Sequence, residues 1–553
     1  MADWNRRRFV RASGATAALA LVPMARSSAS ERADDGWWSG DLKHLVPAAN
    51  HDRFLIKCSF RSPRPPPVLA NADMRVRARM TDSEGRYFAF DVGGLKPDHE
   101  YTLQLTDGQA PLTDPWPLKT YPAPDAQPTS VRLLAYTCAG GYPAYPGDVQ
   151  PFLSLALRRR LLRRALSFAP DAAIAIGDHI YWDQRTQLES AREDVRERAH
   201  AWYTSRGMLD PGLPAKGTVN EAAIKNAVEP QFADLYGVML RSTPSYFVSD
   251  DHDYFENDEA TGRFVTLPPH EYQLSFARFT RELFMPEFLP DPDRPVLMSG
   301  AGAGDRGPGI SESFGTFRYG NLAEALIYDC ARFVSLKGDV AGLVPPESEA
   351  WLVARTADQR VRHVFHVPSH PFGWTAGKWR EWYPDVADTG EGDTAVAQMR
   401  PDGEKTFRLT TARRKFLWQR GWFLQHQRLL AALGGQPKRA GVVLSGDLHA
   451  TGHVRIRHSQ DLALPNPVHA ILTGPLGTGV GWPSRARGTP PLVASGLEVE
   501  DVASVREKNG FALLDIDPGS VTVRLFEWRR GEPEGAIDTL EPYHVHTIQR
   551  ASG

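Results

Sequence analysis

Several short polar clusters follow apolar runs in this 553-residue chain, and their residue types are those that bind cations or move protons. Cys138 follows the run 131–137 and precedes Ala139, Gly140 and Gly141. Asp178 and Tyr181 stand in Gly177-Asp178-His179-Ile180-Tyr181-Trp182-Asp183, after the run 172–176. Asp250-Asp251-His252-Asp253, continuing to Glu256, Asn257 and Asp258, follows 245–249. His370 follows 363–367 in His366-Val367-Pro368-Ser369-His370. Asp447, His449 and His453 lie in a Gly-rich turn after 441–445. The glycine before Asp178 lets the chain turn sharply and brings the carboxylate to a sheet edge.

Each cluster taken singly has an ordinary reading. A cysteine at a strand end is commonly a small buried residue, and Gly-Asp is commonly a solvated turn. An acidic loop can simply face water, and His370 reads equally as a ligand or a packed core histidine. Taken together, the clusters put carboxylates, imidazoles, a thiol and a phenol at one sheet edge. A multi-metal hydrolytic centre explains all of them at once. Two nearby cations activate a water, polarise a phosphoryl oxygen and steady a leaving oxygen, and aspartate is the residue that can bridge them.

The elements that must position these groups are strands alternating with helices. The runs 131–137, 172–176, 245–249, 363–367, 441–445 and 469–473 read as buried strands, with 511–516 and 521–526 as closing strands. Helical periodicity covers 153–168, 270–284 and 411–433. This predicts a layered α/β domain over most of 131–545, with ligands gathered beyond the carboxyl ends of the strands. Segments 184–240 and 371–410 are expected to cap the site and select substrate. No internal repeat is visible.

Residues 52–121 read differently. Phe54, Ile56, Cys58 and Phe60 alternate with polar neighbours, as do residues 74–80, which predicts a small all-β unit. Gly94 to Leu105 looks like the turn and tyrosine-bearing strand of a fibronectin type III-like sandwich. A proline-rich linker at 121–128 follows. The division expected is 1–30 as an export signal, 31–125 as the β-sandwich and 126–553 as the catalytic domain.

Hydrophobic content of 42% and charged content of 24% describe a globular protein, and a net charge of -2 gives no reason to expect nucleic acid or an anionic membrane as a general partner. The basic run Arg158, Arg159, Arg160, Arg163 and Arg164 reads as the solvated face of a helix. Arg6, Arg7 and Arg8 precede a short apolar stretch and then small residues, too short to span a bilayer and suited to cleavage. The paired arginines before Phe9 resemble a twin-arginine signal, which makes the twin-arginine translocation machinery an expected partner and the periplasm or exterior the expected location. No later segment reaches membrane-span length. Of the three cysteines, Cys58 and Cys330 are expected as buried free thiols rather than a bridge.

Thr137-Cys138, the "GDHIY" of 177–181, the "DDHDYFEND" of 250–258 and the "LSGDLHATG" of 444–452 together resemble the PhoD-like branch of the metallophosphoesterases, the alkaline phosphatase D and phosphodiesterase family. "NLAEALIYD" at 321–329, the N-terminal signal and the small β unit also fit, so the resemblance covers nearly the whole chain. It implies a hydrolase for phosphate mono- or diesters, in which hydroxide activated by metal attacks phosphorus in line. It implies a ferric ion held by Cys138, Asp178, Tyr181 and His449, with calcium nearby. Asp178 would bridge, and Asp447 with Asp251 or Asn257 would supply further oxygens. Thiolate, phenolate and imidazole suit iron, whereas carboxylate and amide oxygens suit calcium, with manganese or zinc as the alternatives there. His252, beside Asp251, is the expected proton donor to the leaving oxygen, and His370 an additional metal or phosphate contact. The other readings are a nucleotidase or phospholipase of the same superfamily, and an inactive surface protein that binds phosphorylated polymer.

Overall fold

Strands Val131–Thr137, Ala172–Ile176 and Ser245–Val248 are almost wholly apolar, and such runs are stable only when both faces are covered. In the computed structural model they run parallel to one another. Asn509–Ile516, Ser520–Trp528 and His544–Gln549 extend this sheet antiparallel on the other side, giving six strands. A second, seven-stranded sheet has Ala323–Tyr328, His363–Pro368, Gly441–Ser445 and Leu462–Thr473 parallel at its centre. Phe314–Tyr319, Thr451–Ser459 and Leu497–Arg506 complete it. The structure describes residues 31–33, 35–142, 152–190, 192–257, 266–295, 298, 309–335, 341–375, 385–386, 395–399, 405–410, 420–478, 490–494 and 496–550. The export-signal reading of 1–30 and the greater part of 376–419 lie outside them.

Alternation along the strands stacks the layers. Leu133, Ile174 and Ile176 meet Ile327, Val367 and Leu444 in a core between the two sheets. Leu134 and Tyr136 point the other way, into a core with Leu161, Phe276 and Phe279 from helices Leu155–Leu166 and Glu271–Phe284. On the far side, Val364 and Val443 pack with Trp351 and Leu430 from helices Pro346–Ala357 and Arg420–Gly434. The result is helix, sheet, sheet, helix, so the expected α/β layering is present. The carboxyl ends of the parallel strands of both sheets lie at one end of this stack.

The N-terminal part forms two four-stranded sheets, one of Leu42–Ala49, Arg53–Phe60, Tyr87–Gly93 and Arg79–Met80, the other of Val68–Ala70, Arg75–Arg77, Glu100–Thr106 and Trp116–Lys119. Two local expectations fail here. Arg53–Phe60 is buried on both faces, because helix Glu271–Phe284 covers the side expected to face water, and Lys57 there pairs with Glu287 at 3.0 Å. The run 74–80 is not one strand but two, which pair in different sheets on either side of buried Ala78.

The basic run is also corrected. Helix Leu155–Leu166 begins where Ser154 Oγ accepts from Leu157 N, but its arginines are largely engaged rather than solvated. Arg158 is buried and donates to the carbonyls of Ala139 and Gly141, at 3.2 and 2.9 Å, in the loop that follows Cys138. Arg160 pairs with Asp538, and Arg164 reaches the carbonyl of Leu540. All three cysteines are free and buried, as expected for Cys58 and Cys330. Among the described residues no helix is long and apolar enough to cross a membrane.

Candidate metal centre

Three strand ends are sewn together at the site by backbone groups and the Thr137 hydroxyl. Thr137 Oγ1 donates to the carbonyl of Ile176 and accepts from Asp447 N at 3.2 Å. Cys138 N donates to Gly177 O at 3.2 Å and Gly140 N to Asp178 O at 3.0 Å. The approach is so close that a Cβ on Gly446 would lie 2.3 Å from Thr137 Oγ1. The chain leaves these strands in the left-handed region at Cys138 (φ 48°), Asp178 (φ 58°), Asp447 (φ 61°) and His449 (φ 49°). That conformation costs a non-glycine residue roughly 1–2 kcal/mol. Such strain persists where surrounding structure enforces it, and it concentrates at functional sites.

These turns bring together most of the residues singled out in the sequence. Cys138 Sγ lies 3.2 Å from Asp178 Oδ2, Tyr181 Oη donates to the same oxygen at 2.9 Å, and His449 Nε2 is 3.4 Å from Tyr181 Oη. Three groups of side chains have ligand atoms within 4.8 Å of one another: Cys138, Asp178 and His449; Asp178, Asp251 and His252; and Asp250, Asp251 and Asp447. Asp178 belongs to the first two and Asp251 to the last two. His370 stands at the edge of this array, its Nδ1 2.6 Å from Asp250 Oδ1. His366, four residues earlier, faces away and is a core histidine, between Tyr328 Oη at 3.3 Å and Thr356 Oγ1 at 2.7 Å. Asn257 is held through its backbone carbonyl, which accepts from Thr266 Oγ1 at 2.7 Å.

The residues that hold this array in place carry no such role in their local sequence. Asp253 accepts from the backbone amides of Asp178, His179 and Asp250, at 3.0, 2.8 and 2.9 Å, and so fixes two strand ends relative to each other. Gln231, carried on the wide helical turn Glu229–Ala233, accepts from Gly141 N and Tyr181 N and donates to Tyr181 O, at 2.9, 2.7 and 3.0 Å. Wide turns of this kind often occur at functional sites. Asp183 Oδ1 lies 2.7 Å from His252 Nδ1, and the His252 ring packs on Tyr181 with centroids 4.2 Å apart. Asp183 closes the same motif that contains Asp178, so only its partner was hidden.

The electrostatics ask for a cation. Burial, then the charge of Asp251, holds the Asp178 carboxyl well above the usual carboxylate range, and the same pair of causes acts on Asp250. Burial and Asp178 push up both Cys138 and Tyr181. His252 runs the other way: burial pulls it down, but Asp183, Asp251 and Asp178 outweigh this and hold it well above its ordinary value. Asp178 Oδ1 and Asp250 Oδ2 are buried with no hydrogen-bond partner. Buried carboxylates this close are stable as anions only beside compensating positive charge. Their donor chemistry fits two kinds of ion, with sulfur, phenol and imidazole on one side of Asp178 and mainly carboxylate oxygens, beside the His252 imidazole, on the other.

No family model matches the sequence, and no curated protein matches it significantly. Its fold, however, has known counterparts. The structure of PhoD superposes with a TM-score of 0.53 at 14% identity, covering 92% of this chain and 90% of that one. A purple acid phosphatase isolated from yellow lupin (Lupinus luteus) seeds superposes with a TM-score of 0.51 at 11% identity, covering 91% of this chain and 74% of the other. The fold is metallophosphoesterase-like. At these identities the likeness is one of architecture, and the site geometry described above is this chain's own.

Proposed function

We propose that the protein is an exported, metal-dependent phosphoesterase of the PhoD-like type, acting on phosphate mono- or diesters. The observation that carries this reading is the double membership of Asp178. Its carboxylate is within ligand distance of a thiol and imidazole on one side and of a carboxylate and imidazole on the other, as a residue bridging two cations must be. Cys138, Asp178, Tyr181 and His449 would hold a ferric ion. Asp178, Asp251 and Asp447 would hold calcium, or manganese or zinc in its place, with Asp250 close by and Asn257 within the same loop. Bound there, the cations supply the positive charge that acidifies a water and neutralises phosphoryl oxygens.

The remaining work falls to the protein's own groups. Asp253 and Gln231 keep the site loops rigid, so that the ligand atoms need not reorganise as charge develops. Asp183 orients His252 through Nδ1 and favours its protonated form. His252, whose side chain is 12% exposed, can then give its proton to the leaving ester oxygen. His370, fixed by Asp250, is placed to contact phosphate or a metal at the rim.

Elemental analysis and the visible spectrum of protein exported by its native host test the metal assignment. Iron bound by thiolate or phenolate absorbs visible light, and Tyr181→Phe should weaken or shift that band with the fold intact. A colourless, active enzyme indifferent to Tyr181→Phe and Cys138→Ser would overturn the iron assignment. We further propose the division into a signal (1–30), a fibronectin type III-like unit (31–125) and a catalytic unit (126–553). Replacing Arg6 and Arg7 by lysine should then leave precursor in the cytoplasm, and efficient export of that form would contradict the twin-arginine route.

A further inference from the structure

The loop that carries His252 clasps the loop that carries Asp183 at two points. One is the 2.7 Å approach of His252 Nδ1 to Asp183 Oδ1. The other is made by Glu256, which follows His252 in the same loop and is buried. Phe255, in the left-handed region at φ 62°, turns the chain between them. The Glu256 carboxyl receives three donors from the Asp183 loop. Arg185 N donates to Oε1 at 2.7 Å, while Thr186 N and Thr186 Oγ1 donate to Oε2 at 3.1 and 2.6 Å.

Arg185 and Thr186 are the second and third residues of helix Gln184–Leu188, and Asp183 is the residue at its N-terminal cap. An aspartate at that position ordinarily accepts, with its own side chain, from the second or third helix amide. Asp183 makes no such bond. Its backbone carbonyl accepts from Gln187 N at 3.2 Å, as a cap residue's does, but its carboxylate is turned to His252. The two amides it passes over are the ones Glu256 takes. Ordinary capping would explain why those amides need an acceptor. It does not explain why the acceptor comes from another loop when an aspartate already stands at the cap. The contact between Asp183 and His252 does explain it.

We propose that Glu256 is a positioning residue for the proton-donating step: by capping helix Gln184–Leu188 in place of Asp183, it keeps the Asp183 carboxylate on His252. Without Glu256 the two helix amides lose their acceptor, and the carboxylate already at the cap is drawn to them and away from the imidazole. The catalytic consequence rests on the phosphoesterase reading and on His252 as proton donor. The exchange of caps does not.

The crystal structure of Glu256→Ala reads the exchange directly. Asp183 should have turned from His252 to the amide of Arg185 or Thr186, and an Asp183 carboxylate still within hydrogen-bond distance of His252 Nδ1 would overturn the proposal. Should that variant fold poorly, Glu256→Gln gives the same comparison, since it keeps the volume and its amide group cannot accept from Thr186. Kinetics of the metal-loaded full chain on aryl phosphate esters of graded leaving group read the consequence. On an unsubstituted phenyl ester Glu256→Ala should lower kcat roughly tenfold, less than the 10²–10⁴-fold of a lost acid–base group. The loss should nearly vanish on a dinitrophenyl ester, whose leaving oxygen needs no proton, with KM and metal content unchanged. Adding Glu256→Ala to Asp183→Asn should cost nothing further, because the two residues act through one contact. A loss equal on both esters and additive with Asp183→Asn would make Glu256 a support of the fold alone and overturn its role. Wild type inert on every ester would end the phosphoesterase reading, and the crystal structure would still decide the exchange of caps.

Discussion

Tyr181 Oη donates a 2.9 Å hydrogen bond to Asp178 Oδ2, while Asp178 Oδ1 is buried with no hydrogen-bond partner. One carboxylate oxygen is thus held on the thiol, phenol and imidazole side, and the other is left for a cation. Asp178→Asn keeps the shape and removes the charge. It should release at least one metal equivalent and abolish turnover, with little change in secondary structure. Elemental analysis paired with an activity assay checks this, and a near-normal rate with full metal content would contradict the bridging role.

His252→Ala should lower the hydrolysis rate by roughly 10²–10⁴-fold, the loss typical of an acid–base group, with metal content little changed. Asp183→Asn should cause a smaller loss in the same direction, because it only loosens the ring. His252 also falls in one of the three potential ligand groups, so metal content is the discriminating readout. Metal lost in proportion to activity would make His252 a ligand instead.

Lys225 joins the N-terminal sheets to the α/β layers, with Asp82, Glu84 and Glu221 at 2.9, 3.1 and 2.8 Å. Burial alone would raise the Glu221 carboxyl, but Lys225 and the amides of Ser83 and Gly217 outweigh it and hold it down at about 2. A carboxyl depressed in the folded state contributes stability above its unfolded value and loses it as pH falls through the folded one. The melting temperature of wild type should therefore exceed that of Glu221→Gln by a constant margin near neutral pH. The margin should shrink between about pH 4.5 and pH 2. A margin that does not change with pH would remove Glu221 from the interface's acid sensitivity.

Gly446→Ala tests the tight meeting of strand ends. The new methyl would sit 2.3 Å from Thr137 Oγ1 and 2.7 Å from Ile176 O, so the Asp447 turn must move. Overpacking of this kind costs about 1–3 kcal/mol. Chemical denaturation should show that loss, and activity should fall further than stability alone explains.

The parts of the molecule legible in the sequence are those where local pattern and tertiary setting agree. Val131–Thr137, Ala172–Ile176 and Gly441–Ser445 are mostly apolar strands closed by glycine or small residues, and their ends match the expected bounds. The site clusters were visible because they directly follow such strands. What was hidden depends on contacts distant in sequence. Arg158 looked like a surface residue because periodicity says nothing about the carbonyls of Ala139 and Gly141 that receive it. Gln231 has no local signal at all, since its role comes from reaching the Tyr181 loop from another segment. The outward face of Arg53–Phe60 read as solvated because the helix that covers it lies more than two hundred residues further along the chain.

Phosphate-ester hydrolysis before and after removal of metal tests whether the protein is a metal-dependent phosphoesterase. Purified protein is assayed on an aryl phosphate monoester and the corresponding diester, stripped with chelator, assayed again, and then reloaded with iron and calcium. At least one ester should be hydrolysed, with the activity lost on stripping and restored on reloading, and Asp178→Asn inactive throughout. A rate that survives complete stripping, or no hydrolysis of either ester by the fully loaded protein, would contradict that assignment.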